Sequence, residues 1–232
     1  MVKQIILFLT ISITLVACSA PRSFSHVEWD YGIGSNIDEI VTTKVEFYRN
    51  GKFVGGSQIG GGAPGVSVDR INNKSYYWAG GGGLPVNGVP VPDEARLEIV
   101  SFYDQKRYRI LAQLPDDLSI KMQQRYQVSS YIDKRSWLYF GLAPGGYYEV
   151  VLKGDKLLVK PDILLARGIA EEVTDDWYDK KVPIAEQYGM DAFQKKYGKF
   201  YQQHPIPTGM EWAPIMDAYR AKQPKTDQHP IN

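Results

Sequence analysis

Two neighbouring segments of this 232-residue chain alternate apolar and charged side chains with a period of two, and this alternation most constrains the fold. The segments are EARLEI (94–99) and RYRILAQL (107–114), and the DQK between them is typical of a turn. Successive side chains of a strand point to opposite faces, so the pattern predicts an antiparallel pair with one buried face. Predicted to be buried are Leu97, Ile99, Tyr108 and Ile110, and predicted to be more exposed are Arg96, Glu98, Arg107 and Arg109.

Strand signals dominate the rest of the chain up to its last third, where the period changes. Asn50-Gly51 predicts a two-residue hairpin turn, and breaks at 144–146 and 154–155 divide further strands. In the last third, apolar residues recur every three or four positions, which predicts two helices. The two stripes are Met190, Phe193, Tyr197 and Phe200, then Trp212, Ile215, Met216 and Tyr219. Strands followed by helices predict an α+β, mainly β fold, with an antiparallel sheet or sandwich core and C-terminal helices.

The single cysteine, Cys18, ends an uncharged apolar run that follows Lys3. This run is shorter than the roughly 20 residues that a membrane-spanning helix needs, and it is typical of a secretory signal. LVAC (15–18) resembles the lipobox of bacterial lipoproteins, in which acyl chains are attached to the cysteine and the chain is cut before it. Ser19 in place of an aspartate favours the outer membrane, facing the periplasm. The alternative is an ordinary signal peptide followed by a stray cysteine.

We therefore predict four parts of the chain: a signal peptide (1–17), a lipidated tether (18–25), a single globular domain (26–222) and a frayed tail (223–232). Removing residues 1–17 takes one of the 27 basic residues and leaves 26 against 26 acidic ones. That balance argues against a nucleic-acid partner, which requires a basic face. The membrane is contacted through the lipid anchor.

No sequence motif predicts an enzyme, a metal site or a cofactor. The glycine-rich stretches lack the Lys-Ser/Thr of a phosphate-binding loop, and no G-x-S-x-G is present. The three histidines have no paired spacing for a metal. We predict that the protein is not an enzyme.

Two runs are candidates for contact with a partner. Tyr76, Tyr77 and Trp78 lie between glycine-rich stretches, and aromatic residues on loops commonly anchor protein interfaces. The alternative is that one or two of them are buried in the core. The second candidate is an acidic run, for which a solvated face is the alternative. Its members are Glu171, Glu172, Asp175, Asp176 and Asp179.

Residues 26–168 resemble the bacterial lipoproteins filed as domain of unknown function 2931. The resemblance is carried by the order of a proline-led strand, an acidic turn, a Lys/Arg-Tyr strand, a closing Leu-Pro and a Pro-Gly-Gly strand start. These positions are Pro92, Ser101, Phe102, Tyr103, Asp104, Arg107, Tyr108, Leu114 and Pro115, then Pro144, Gly145 and Gly146. Val100 departs from the pattern, which has a tryptophan there. The resemblance brings no catalytic residue with it. It implies a periplasmic immunity partner of a phospholipase-type effector of type VI secretion.

Two functions remain open at this point. In the first, the chain is an anchored immunity protein that binds an effector or toxin and blocks it, which requires only a complementary surface. In the second, it is a housekeeping envelope lipoprotein that binds a small ligand, a lipid or a cell-wall component, for which a cavity would be required.

Overall fold

A computed structural model describes residues 27–57, 62–63, 66–81, 84–174 and 181–231, in which most strands come before the two longest helices. The strands are β1 (Asp30–Ser35), β2 (Ile40–Arg49), β3 (Lys52–Ser57), β4 (Gly62–Ala63), β5 (Leu84–Pro85), β6 (Glu94–Ser101), β7 (Lys106–Gln113), β8 (Arg125–Val128), β9 (Tyr131–Ala143), β10 (Tyr147–Gly154), β11 (Ile163–Ile169), β12 (Glu171–Glu172) and β13 (Pro230–Ile231). The helices are α1 (Val68–Asn72), α2 (Leu118–Gln123), α3 (Met190–Gln203) and α4 (Trp212–Ala221), with 3-10 turns at Ile184–Gly189 and Gly209–Glu211.

The strands divide between two open sheets. Sheet I has the order β11-β10-β9-β1-β5, with β8 beside β9 and β13 beside β8. Sheet II has the order β12-β7-β6-β2-β3, with β4 beside β2. The described strand pairs are antiparallel, apart from β1 and β9, which run parallel. The predicted mainly β fold with C-terminal helices is confirmed.

One hydrophobic core lies between the sheets, as the alternation predicts. Leu97, Ile99 and Ile110 are fully buried there, together with Tyr108. β6 and β7 pair as an antiparallel hairpin, with Leu97 opposite Ile110 and Ile99 opposite Tyr108. The predicted strand pair is therefore confirmed, including the buried face.

The opposite face of this strand pair is less exposed than predicted. Arg96 is exposed and Arg109 is half-buried, but Glu98 is only 5% exposed and Arg107 is buried. The carboxylate of Glu98 accepts hydrogen bonds from Arg107 and, at 2.8 and 3.0 Å, from Arg109. The prediction was wrong for Glu98 and Arg107, because charges on adjacent strands cover one another when they form ion pairs.

A second core covers the other face of sheet I. Met190 and Phe193 of α3 and Trp212 and Met216 of α4 are buried in it, which confirms the two predicted apolar stripes. The same cluster includes Tyr139 of β9 and Tyr147 of β10. The 3-10 turn that leads into α4 begins at a capping box, in which the backbone N–H of Thr208 donates to the Glu211 carboxylate at 2.9 Å. Both faces of sheet I are therefore covered.

The predicted hairpin turn at Asn50-Gly51 joins β2 to β3. Both residues have positive φ angles, 51° and 71°. This is the type I′ geometry, whose twist matches that of the flanking strands. The prediction is confirmed.

The residues that carry the family resemblance bind the β6–β7 turn to the β9–β10 turn. Asp104 accepts hydrogen bonds from the backbone N–H of Gly145 (2.7 Å) and from the hydroxyl of Tyr108 (3.1 Å). A Cβ at Gly145, whose φ is 78°, would lie 2.2 Å from the backbone nitrogen of Gly209. Ser101 donates to the buried carboxyl of Asp38, whose pKa is raised to about 8 by burial. These residues thus hold the two sheets and the start of α4 together.

Candidate functional site

A concave part of the described surface lies along residues 73–76 and α4. Two adjoining cavities of about 590 and 470 Å³ share Lys74, Tyr76 and Ile215. We call the surface formed by these cavities and the neighbouring Tyr77 the groove surface. The cavities are lined by Asn73, Lys74, Ser75, Tyr76, Pro205, Ile206, Pro207, Glu211, Pro214, Ile215, Ala218, Tyr219 and Lys222.

Tyr77 lies exposed at the edge of this surface. Its side chain is 39% exposed and its ring stacks on Tyr219, with the ring centroids 6.1 Å apart and the planes at 27°. The guanidinium of Arg70 lies 4.7 Å from the centroid of the Tyr77 ring. The two rings and the cation therefore form a fixed aromatic surface.

Tyr76 and Trp78 are buried, so the second interpretation of the aromatic run holds for these two residues. The Tyr76 ring packs edge-on against Trp212, with the ring centroids 5.0 Å apart. The Trp78 ring stacks on Tyr147, with the centroids 6.4 Å apart. Burial alternates along the run, with Tyr76 and Trp78 facing inwards and Tyr77 facing outwards. Tyr76 and Trp78 are therefore not exposed contact residues, and the prediction was wrong for them in that respect. Tyr77 is accessible.

Glu149 of β10 is a fully buried carboxylate beneath the groove surface. It accepts hydrogen bonds from the Trp78 indole (2.8 Å), the Tyr147 hydroxyl (2.6 Å) and both terminal nitrogens of Arg220. Arg167 adds a charge at 3.6 Å. Glu149 therefore ties α4 and the aromatic run to sheet I.

Asp217 lies at the exposed end of the same ion-pair cluster. Hydrogen bonds from Arg167, and less strongly from Arg220, lower the pKa of Asp217 to about 2. Its carboxylate is therefore charged at neutral pH and helps to orient Arg220 towards Glu149.

A third cavity, of about 530 Å³, adjoins the groove surface through Tyr219. We call it the Lys153 pocket; its lining residues are Trp78, Ala79, Gly80, Gly81, Trp137, Lys153, Leu157, Lys160, Asp162 and Tyr219. Lys153 is 6% exposed, and its ammonium lies 3.5 Å from the ring centroid of Tyr139 and 5.3 Å from that of Trp137. Burial lowers the pKa of Lys153 to about 8.

One wall of the Lys153 pocket is the loop after β10, and Asp133 holds it in place. The buried Asp133 carboxylate accepts four backbone hydrogen bonds of 2.9–3.1 Å, from Lys134, Lys156, Leu158 and Val159. Three of these donors belong to the loop. The loop conformation is thus determined largely by one side chain of β9.

The C-terminal segment packs along this loop. The prediction of a frayed tail was therefore wrong for residues 223–231. Thr226 bonds to Lys160 and Leu158, Gln223 bonds to Asp162, and Asp227 pairs with Arg135 at 2.8 Å. Pro230 and Ile231 form β13. Side-chain hydrogen bonds to the loop backbone, which no local pattern predicts, order this segment.

The two described members of the acidic run lie away from the groove surface. Glu171 and Glu172 form β12 at the edge of sheet II, where Glu172 pairs with Lys106 at 2.7 Å. Both are exposed, and neither lines the groove surface. Cys18, Asp175, Asp176 and Asp179 lie outside the described residues.

Sequence reasoning missed Glu149 and Lys153. In YYEVVLKG (147–154) the alternation places both on the face opposite the sandwich core. That face is the solvent side in a two-layer sandwich, but here α4 and Trp78 cover it. The signal that could have revealed this is the apolar content of the two helices, which require a face to cover.

Neither a metal centre nor a membrane-spanning helix is found among the described residues. No group of three or more His, Cys, Asp or Glu side chains is placed to hold a metal ion. No helix in the described ranges has the length and apolar character to cross a membrane.

The fold and site define a helix-covered β-sandwich with a concave, aromatic surface. The chain belongs to the family described as "Protein of unknown function (DUF2931)", whose model matches residues 10–209. The match confirms the resemblance found in the sequence and extends to α3. No curated protein and no solved structure matches the chain.

Proposed function

We propose that this chain is an outer-membrane-anchored periplasmic lipoprotein that binds and neutralises an envelope-attacking effector. The partner class, a phospholipase-type effector of type VI secretion, comes from the resemblance that the sequence carries. The structural observation that supports a binding role is the exposed Tyr77–Tyr219 stack beside two cavities. We place the contact at the groove surface.

The composition of the groove surface suits a protein interface. Tyr, Trp and Arg are the residues that most often dominate binding energy, and stacked rings lose little conformational entropy on binding. Arg70 and Tyr219 hold Tyr77 before any partner arrives. The stack thus supplies a preorganised anchor.

The charge of the groove surface indicates the sign of the partner surface. Lys74 and Lys222 line the cavities with one acid, Glu211, and Arg70 lies beside them. An acidic patch on the effector would complement this excess and accelerate association. The acidic run from Glu171 to Asp179 stays a second predicted contact, for a basic partner patch.

Cys18→Ala tests the anchor. We expect this variant to lose membrane attachment, because the sequence has no other cysteine to accept the lipid. Labelling with a radioactive fatty acid measures the change, and the unsubstituted chain is the control. Label retained by the variant would refute the lipoprotein proposal.

Tyr77→Ala tests the contact. We expect the affinity for a phospholipase-type effector to fall about thirtyfold, the equivalent of about 2 kcal/mol, because the variant removes an aromatic anchor. Binding of the purified proteins is measured by calorimetry. Tyr131→Ala is the matched control, since Tyr131 is 58% exposed at the start of β9, away from the grooves.

Expression of that effector in the periplasm, with and without this chain, tests the function as a whole. We expect survival only when the chain is present, and reduced survival with Tyr77→Ala. Equal killing in both strains, together with no complex in a pull-down, would overturn the immunity proposal. If the Tyr77→Ala and Tyr131→Ala variants bind the effector with equal affinity, the contact does not lie at the groove surface.

A further inference from the structure

Lys153 is a buried cation to which the described part of the chain offers no hydrogen-bond acceptor. Its contacts there are the faces of the Tyr139 and Trp137 rings. Lysine is rarely buried this deeply without an anionic partner, because removing an ammonium from water is costly. Its side chain lines an open cavity, from which an acceptor could reach it.

Asp162 is the carboxylate among the residues that line the Lys153 pocket, and other side chains already engage it. One oxygen of Asp162 pairs with Lys160 at 2.7 Å, and the other accepts from Gln223 at 3.0 Å. Two lysines and one aspartate line the pocket, so its formal charge is +1. The electrostatics therefore favour a ligand with a negative charge.

The walls of the Lys153 pocket indicate the rest of the ligand. Trp78, Trp137 and Tyr219 present aromatic surface, and the volume of about 530 Å³ is within the usual range for small-molecule sites. A carboxylate or phosphate alone would leave this aromatic surface uncovered. An anionic head with an aromatic or alkyl body would contact both the ammonium and the walls.

We propose that the Lys153 pocket binds a small organic anion, with its carboxylate or phosphate on Lys153 and its apolar body between Trp78, Trp137 and Tyr219. This site goes beyond the proposed effector contact, because Tyr77 does not line it. The acceptor oxygens of the anion supply the hydrogen bonds that Lys153 lacks. Lys160 lies close enough to the same pocket to add a second positive charge.

The titration of Lys153 supports this site. Its lowered pKa of about 8 leaves it mainly charged at pH 7. A bound anion favours the ammonium and raises this pKa. Affinity for the anion should therefore decrease as the pH rises above about 8.

Phenyl phosphate is the first probe, added to the full chain at pH 7 and followed by NMR of the lysine side chains. We expect millimolar or tighter binding and a rise in the pKa of Lys153 on binding. Phenol, which has the ring without the charge, should bind at least tenfold more weakly. No binding of phenyl phosphate by the wild-type chain at millimolar concentration would overturn the proposal.

Lys153→Met should decrease the affinity for phenyl phosphate at least tenfold, and Lys153→Arg should retain most of it. Lys156→Met is the matched control, since Lys156 is exposed in the same loop. The NMR titration of the wild-type chain remains decisive even if Lys153→Met fails to fold. Equal binding by Lys153→Met and the wild type would refute the site.

Vesicles distinguish two sources of the anion. Binding to phosphatidylglycerol vesicles that depends on Lys153, without binding to phosphatidylcholine vesicles, would identify a lipid headgroup as the anion. Binding of phenyl phosphate without binding to either kind of vesicle would identify a soluble anion. Tyr77→Ala should leave phenyl phosphate binding intact, and Lys153→Met should leave effector binding intact. A failure of the effector proposal is therefore separable from a failure of this one.

Discussion

Glu149→Gln is expected to decrease the free energy of unfolding by about 3–5 kcal/mol, the usual effect of breaking a buried ion pair from one side. The amide keeps the shape of the side chain but leaves the half-buried guanidinium of Arg220 with only the exposed carboxylate of Asp217 as a counter-charge. It also weakens the acceptor for the Trp78 indole and the Tyr147 hydroxyl. Urea unfolding followed by tryptophan fluorescence measures the change.

Asp217→Asn is the matched control for this prediction. Asp217 binds the same Arg220, but its side chain is 54% exposed, so solvent replaces the lost contact. We expect a loss below about 1 kcal/mol, as for exposed ion pairs. A Glu149→Gln loss no larger than that of Asp217→Asn would contradict the role assigned to Glu149. Because Arg220 belongs to α4, we also expect weaker effector binding by Glu149→Gln.

Asp133→Asn is expected to decrease stability by about 2–4 kcal/mol and to loosen the loop after β10. One carboxylate oxygen becomes an NH₂ group that faces two backbone N–H donors, and each buried donor left without an acceptor costs about 1–3 kcal/mol. Hydrogen exchange of the Lys156, Leu158 and Val159 amides measures the effect, and these amides should lose protection.

Asp155→Asn provides the comparison for Asp133→Asn. Asp155 starts the same loop and is exposed, so its substitution should leave the exchange of these amides unchanged. Unchanged exchange in Asp133→Asn as well would show that the loop does not depend on this carboxylate. Loss of protection should also weaken phenyl phosphate binding, because Leu157 and Lys160 of the loop line the Lys153 pocket.

Local pattern predicted the parts of this fold that depend on near neighbours. The Asn50-Gly51 turn needs only two residues with positive φ, and the burial of Leu97 and Ile110 needs only the alternation within one hairpin. The helical stripes around Phe193 and Trp212 likewise follow from the helical period. These features depend on the geometry of single elements.

Features that depend on what covers a face were not predictable in this way. Glu98 was expected to be solvated, but Arg107 and Arg109 cover it. Lys153 and Glu149 lie on a face that α4 and Trp78 cover from distant parts of the chain. Of the predicted partner contacts, the aromatic run does lie at the candidate site, but the local sequence cannot determine which of its side chains points outwards.

The parallel pairing of β1 with β9 has a consequence for the order of folding. Asp30 pairs with Trp137 and Ser35 with Leu142, so these partners are more than a hundred positions apart. Non-local pairings of this kind slow folding, because a long loop must close before its contacts form. During synthesis β1 is made long before β9. It can therefore pair with β9 in sheet I only after β9 has been made. β1, the first of the described strands, is therefore expected to be among the last to dock.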